Sequence, residues 1–288
     1  MDESLSYLEL AISALEGALA TIEKLEDLRA IVVFGSAARP EDFVVGVSDI
    51  DVLAIAGSRP EKRRYELEIL GSKAVLQIFT VEEIREVFKL GDPLAFMLYR
   101  SSRVLKDDGI FASIASRAPR ATKHTSRVLR SSIFAALGLA VEAYFWSEFR
   151  RALSHACHSL RHLARYKASL RRVGAEEFPV YDREVAEALA GFSREVFARV
   201  TSLRREGSSR SDCARALDDT IRAVASELDL EAPSLSEVER VVRGTIGTAV
   251  AREVNGSIVI RVEFVTSRGF ERLEIGREYA REIESVFD

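Results

Sequence analysis

Gly35-Ser36 is followed, twelve residues on, by Asp49 and Asp51, two acids at alternate positions. Each feature borders an apolar run: Ile31–Phe34 ends at the glycine, and Ile50 to Ile55 surrounds or follows the acids. Side chains alternate faces along a strand, so the two aspartates project to one side, a pleat apart. Paired carboxylates held this way form a hard-oxygen platform for Mg²⁺ or Mn²⁺. A Gly-Ser turn beside them lets backbone N–H groups and a hydroxyl approach a phosphate closely. In outline this is a nucleoside triphosphate site.

The elements that must position these residues follow from periodicity. Leu5, Leu8, Ile12, Leu15, Leu19 and Ile22 recur at helical spacing, which predicts a helix over 4–25. Short β-branched runs predict strands at 30–34 and 49–56, and the residues 61–70 read as helix. Lys73 to Phe79 reads as a third strand, and Thr80-Val-Glu-Glu as a capping-box start to a helix. Pro93 suits the first turn of a further helix. Long helical patterns follow at 126–145, 147–172, 181–205 and 211–228, joined by short loops, as in an antiparallel bundle. Residues 234–250 read as helix, Ser257 to Val265 as a strand with 270–275 as its hairpin partner, and the C-terminus as helix again.

The expected class is therefore α+β: a mixed sheet with flanking helices, then an antiparallel helical bundle, then a small C-terminal α/β segment. The expected domains are 1–113, 124–230 and 234–288, the last of unassigned role.

Composition sets outer bounds. With 47% apolar and 30% charged residues the chain reads as globular, and its net charge of −4 argues against a generally basic nucleic-acid-coating protein, local patches aside. Cys157 and Cys213 are too few for a disulfide framework or a cysteine zinc cluster. The run Ile133 to Val141 falls short of a membrane span, and the N-terminus shows no signal-peptide pattern. The expectation is a cytoplasmic protein with no membrane partner. A single Asn (Asn255) and a single Gln (Gln77), with scarce Met and Cys, form a thermophile-like signature, while the excess of arginine over lysine can instead reflect genome composition.

The Gly-Ser turn, the Ser-Asp-Ile-Asp acids and the Leu-Ala-Ile that follows resemble the nucleotidyltransferase superfamily that includes DNA polymerase beta, and most of all its minimal prokaryotic branch. Gly91-Asp-Pro-Leu and Val104 to Phe111 also resemble segments near the end of that domain. The resemblance implies that Gly35 and Ser36 hold the triphosphate and that Asp49 and Asp51 bind Mg²⁺. It implies transfer of a nucleoside monophosphate from an NTP, ATP foremost, to an acceptor hydroxyl on a small molecule, RNA or protein. Arg39, on the intervening loop, is either an added cation near the phosphates or a solvated loop arginine. Active relatives carry a third acid on the next strand, where this chain has Val75 and Gln77. A glutamine cannot serve as a general base. Three outcomes fit: a weak or one-metal enzyme, an acid borrowed from Glu82, Glu83 or a partner, or a nucleotide-binding module without turnover.

Many relatives add a helical domain of the HEPN type, which suits the expected bundle and makes a homodimer plausible. His155, His158 and His162 fall within about 60° of one another on one predicted helix, with Arg151 adjacent. Four readings stand: a solvated polar face, a cationic wall of a nucleotide cleft, a HEPN-like ribonuclease motif (Arg150 to His155, or Arg151 to His158), and a metal pair at His158 and His162.

Overall fold

The computed structural model describes residues 3–20, 27–242, 245–267, 269–277 and 279–282. Its elements in chain order are α1 (Glu3–Ala20), β1 (Leu28–Phe34), a 3-10 turn (Gly35–Ala38), β2 (Ile50–Ala56), β3 (Arg64–Ile69), β4 (Ser72–Thr80), α2 (Val81–Leu90), α3 (Pro93–Arg100), β5 (Ser102–Asp107) and α4 (Ile110–Ala115). Then come α5 (Lys123–Phe145), α6 (Phe149–Leu170), α7 (Asp182–Ala188), α8 (Gly191–Glu206), α9 (Arg210–Leu228), α10 (Leu235–Val241), β6 (Thr245–Val254), β7 (Ser257–Thr266), β8 (Gly269–Gly276) and β9 (Tyr279–Glu282). The class is α+β, with one mixed and one antiparallel sheet.

The chain divides into two compact units, residues 1–128 with 168–184, and residues 129–167 with 185–288. The boundaries expected at 113–124 and 230–234 therefore give way to an interleaved division. Helix α5 begins in the first unit, and the end of α6 returns to it. The returning segment is held by chemistry: Phe178 stacks on Phe96 with ring centroids 4.0 Å apart, and the Arg100 guanidinium donates to the carbonyls of Ala175, Glu176 and Phe178.

In the first unit the sheet runs β3-β4-β2-β1-β5, with β2 and β4 parallel and the other pairs antiparallel. One face (Val33, Ile50, Val52, Ala54, Leu76, Ile78) buries against Leu8, Ala11, Leu15 and Leu19 of α1. The opposite face (Ala30, Val32, Leu53, Ile55) buries against Val81, Ile84, Leu98, Phe111 and Ile114 of α2, α3 and α4. Each such fully buried aliphatic side chain contributes about 1.5–3 kcal/mol. The capping box forms as its sequence predicts: Thr80 Oγ1 accepts from Glu83 N at 3.2 Å, and Thr80 N donates to Glu83 Oε2 at 2.9 Å. Pro93 occupies the first position of α3 behind Asp92, which accepts from Leu94 N.

Residues 61–70 are corrected from helix to strand. Arg64-Tyr-Glu-Leu-Glu-Ile69 alternates polar and apolar, and as β3 it sends Tyr65, Leu67 and Ile69 into the core while pairing with β4. Its helix-favouring residues yield to tertiary pairing.

The second unit corrects the bundle. Residues 181–205 form two helices, with Ala190 extended between them and Gly191, at φ +49°, opening the second. Residues 245–254, read as helix, are β6, and the expected C-terminal helix is β9 as far as Glu282. Residues 283–288 and Ile22 lie outside the described residues. Strands β6 to β9 form an antiparallel meander. It is no appendage, because Ile246, Ile258, Ile260, Val262, Phe264 and Ile275 share one core with Ile133, Leu137, Leu160, Val200 and Ile221 of the helices. Helix α5 is long and apolar enough to cross a membrane by length and composition. Leu129, Ile133, Leu137 and Val141 are instead buried in the protein core.

Gly138 explains how closely α5 approaches β6: a Cβ there would lie 2.6 Å from Ala251 N and 3.0 Å from Ala249 O. Alanine favours a helix over glycine by up to about 1 kcal/mol, yet both clashes are with backbone. Gly138→Ala is expected to destabilise by about 1–3 kcal/mol, read as a lower Tm. A raised Tm would mean that α5 and β6 are not packed backbone to backbone.

Candidate functional site

The site is built at the end of β1 and the start of β2. Phe34 pairs with Asp51 across the antiparallel ladder, so the next residue, Gly35, turns directly over the Asp51 carboxylate. Gly35 has φ +71°, and a Cβ on it would lie 3.0 Å from Asp51 Oδ2. Only glycine combines that left-handed backbone with that approach. Ser36 follows in the 3-10 turn, which Arg39 N closes by donating to Ser36 O at 2.9 Å. Asp49 is exposed just before β2, and Asp51 is partly covered inside it.

The Asp51 carboxyl is pushed up from 3.8 to about 6, first by burial and next by the charge of Asp49, with Arg39 and Arg64 pulling the other way. The two acids are thus close enough to repel, and the local cations do not fully offset them. Such a pair suits one divalent cation. Mg²⁺ characteristically takes one or two carboxylates and completes its shell with water and substrate phosphates.

Arg39 is neither solvated nor loosely placed. It is buried at 3% exposure, donating from Nε to Asp42 Oδ2 at 2.7 Å and from a terminal nitrogen to Ser101 Oγ at 2.9 Å. Ser101 Oγ donates in turn to the carbonyl of Gly35 at 3.4 Å, and Asp182 N donates to Asp42. The solvated-loop reading is therefore set aside. Arg39 braces the loop behind the turn while its charge still reaches Asp51.

Val75 lies beside Asp51 in the parallel register, and Gln77 beside Leu53, on the same face one pleat further. Glu83 is committed to the cap of α2 and to Arg63 at 2.6 Å, and Glu82 is exposed at the start of that helix. Glu66 lies opposite Val75 and pairs with Arg64 and Lys73, each at 2.9 Å. Among the described residues no cluster of three metal-ligating side chains forms. The pair of carboxylates fits a divalent cation.

Arg64 is the residue that sequence reasoning missed. It stands opposite Gln77, on the face of the acids, and its charge bears on Asp51. The period-2 alternation of β3 was the signal that would have found it.

The histidine stripe lies in the second unit. The stripe is exposed only in part: His158 and Arg151 are exposed, His155 and His162 are half-buried, and Arg161 and Arg165 beside them are buried. All three imidazoles are held below their ordinary value. Burial leads in each case, joined by Arg151 at His155, by Arg161 at His158, and by Arg165 at His162, which falls to about 3. They are neutral at pH 7. His155 Nε2 and His162 Nδ1 are buried without a hydrogen-bond partner. His158 and His162 lie 6.4 Å apart between ring centroids, and no third ligand joins them among the described residues. Arg150 donates to the Arg205 carbonyl and Arg151 to Glu148, so neither pairs with the histidine it precedes in the ribonuclease spacing.

No family model matches the chain, and no curated protein matches it. Among solved structures it is similar to a nucleotidyltransferase-like protein from Exiguobacterium sibiricum 255-15, at 10% identity and a TM-score of 0.33, covering 77% of this chain and 75% of that one.

The raised Asp51 carboxyl carries a pH signature. The folded protein keeps this proton to higher pH than the unfolded chain does, so the pair lowers stability as pH rises from about 4 through about 6. Asp51→Asn is expected to raise the Tm above pH 6, by about 1–3 kcal/mol of stability, and to change little below about pH 4. Equal effects at both pH values would show that the Asp51 carboxyl is not raised in the folded protein.

Proposed function

We propose that the first unit binds a nucleoside triphosphate with Mg²⁺ or Mn²⁺ and transfers its nucleoside monophosphate to an acceptor hydroxyl. The observation that carries this reading is the Asp49–Asp51 pair set against a glycine with a left-handed backbone, where a side chain would be strained and its Cβ would lie 3.0 Å from Asp51 Oδ2. Asp49 and Asp51 would hold the metal. The Gly35-Ser36 turn would seat the triphosphate through its backbone N–H groups and the Ser36 hydroxyl. When bound, the metal would neutralise charge on the phosphates and on the leaving oxygen.

The acceptor oxygen forms a bond to the α-phosphorus as the bond from that phosphorus to the bridging oxygen breaks, releasing pyrophosphate. Arg39 keeps the turn in place through Ser101, and Arg64 adds positive charge on the same face. With Val75 and Gln77 where a third carboxylate would stand, no side chain of β4 can take the acceptor proton. The proton passes to solvent or to a group on the acceptor, and turnover is slow.

That vacancy favours a second reading, a nucleotide-binding module without turnover. Labelled NTP, Mg²⁺ and a panel of acceptors distinguish the two. Label transfer is expected, falling at least about 100-fold in Asp49→Ala, since metal stabilisation is worth several kcal/mol. Nucleotide-dependent thermal stabilisation without transfer, together with transfer switched on by Gln77→Asp, would establish the binding module instead. Absence of both transfer and stabilisation would sink both readings.

A further inference from the structure

Away from the acids, the first unit holds a concave site of about 1090 Å³ whose charged lining is entirely basic: Arg85, Lys89, Arg117, Arg120, Lys123 and Arg172. No carboxylate lines it. Lys89 pairs with Glu86, and the other five form no ion pair among the described residues. Six cations gathered with a single carboxylate partner, Glu86, on a chain whose net charge is −4, repel one another. Such a cluster is relieved by a polyanion.

The scaffold beneath these side chains is fixed. Thr122 Oγ1 donates to the Leu90 carbonyl at 2.6 Å and Thr125 Oγ1 to the Gly91 carbonyl, tying the 116–123 loop to the end of α2. Gly91, at φ +64°, admits the Arg120 carbonyl where a Cβ would lie 2.1 Å from it. Ala121 N donates to Val173 O at 3.0 Å, and Arg120 bridges to Gly174, which brings Arg172 to the same site. Arg85 and Lys89 stand one helical turn apart on α2, about 6 Å along its axis.

We propose that this site binds the phosphodiester backbone of a single-stranded nucleic acid. The cations are exposed and spread over α2, the loop and residue 172, so they suit a chain of phosphates better than one compact anion. The volume lies at or above the upper end of ordinary small-molecule pockets. Its concavity suits a flexible strand; a duplex is read by an element that projects into its groove. Half-buried Phe88 in the lining offers a ring for base stacking. This site shares no residue with the acid pair, and the proposal does not depend on nucleotidyl transfer.

Fluorescence anisotropy of labelled single-stranded RNA and DNA, with the full chain and without Mg²⁺ or NTP, tests it across a salt series. The triple variant Arg85→Gln, Arg117→Gln, Lys123→Gln is compared with a charge-matched control, Arg194→Gln, Arg215→Gln, Arg240→Gln, on exposed arginines outside the site. Wild type and control are expected to bind alike, with affinity falling steeply with salt. The site variant should bind about tenfold more weakly or worse, and its log–log salt slope should be shallower by about 2, near 0.7 per lost phosphate contact. Equal losses in both variants would reduce the effect to net charge and overturn the proposal. So would the absence of strand binding, or binding of ATP and inorganic polyphosphate alone.

Discussion

Two carboxylates in one another's field, one of them partly covered by protein, constrain everything around the candidate site. Asp51 stands on a sheet face whose neighbouring positions, Leu53 and Ile55, are fully buried, so its charge is raised out of water by the same strand that anchors the core. The carboxylate can sit there because the residue turning over it has no side chain. Gly35 closes the space above Asp51 with backbone, and backbone N–H groups are what a phosphate would meet. Arg39 supplies positive charge from behind, but its hydrogen bonds are committed to Asp42 and Ser101.

Arginine serves three distinct purposes in the first unit, and burial decides which. Arg39, enclosed with Asp42, is structural: an enclosed pair is costly to form and more costly to break on one side. Arg64 lies on a strand edge, paired with Glu66 yet near enough to influence Asp51. The arginines around the basic concavity are exposed and form no ion pair among the described residues. The second unit adds a further case, since Arg161 and Arg165 are buried beside histidines whose protons they help to expel.

The second unit also shows why a helical pattern does not establish a bundle. Helices α5, α6, α8 and α9 are long and amphipathic, as their periodicity demands, but their apolar faces are not completed by helices alone. Strands β6, β7 and β8 supply Ile246, Ile258, Ile260 and Ile275 to the same core. The bulge at Gly247 between Ile246 and Thr248 lets β6 follow that surface.

What the sequence determined by itself were features that short-range preferences settle. The Gly-Ser turn, the alternate acids, the Thr80 capping box, Pro93 at a helix start and the β7–β8 hairpin each depend on dihedral preferences and hydrogen bonds within a few residues. What only the tertiary structure decided were features set by remote neighbours. Arg64 and Glu66 took strand form because β4 lay beside them, despite their helical propensity. Arg39 went inside because Asp42, Ser101 and the returning 168–184 segment enclosed it. The histidines are held below their ordinary value first by burial, which the fold decides, and next by neighbouring arginines. Burial and electrostatic field are sums over groups far apart in the chain, and no local pattern of residue types carries that sum.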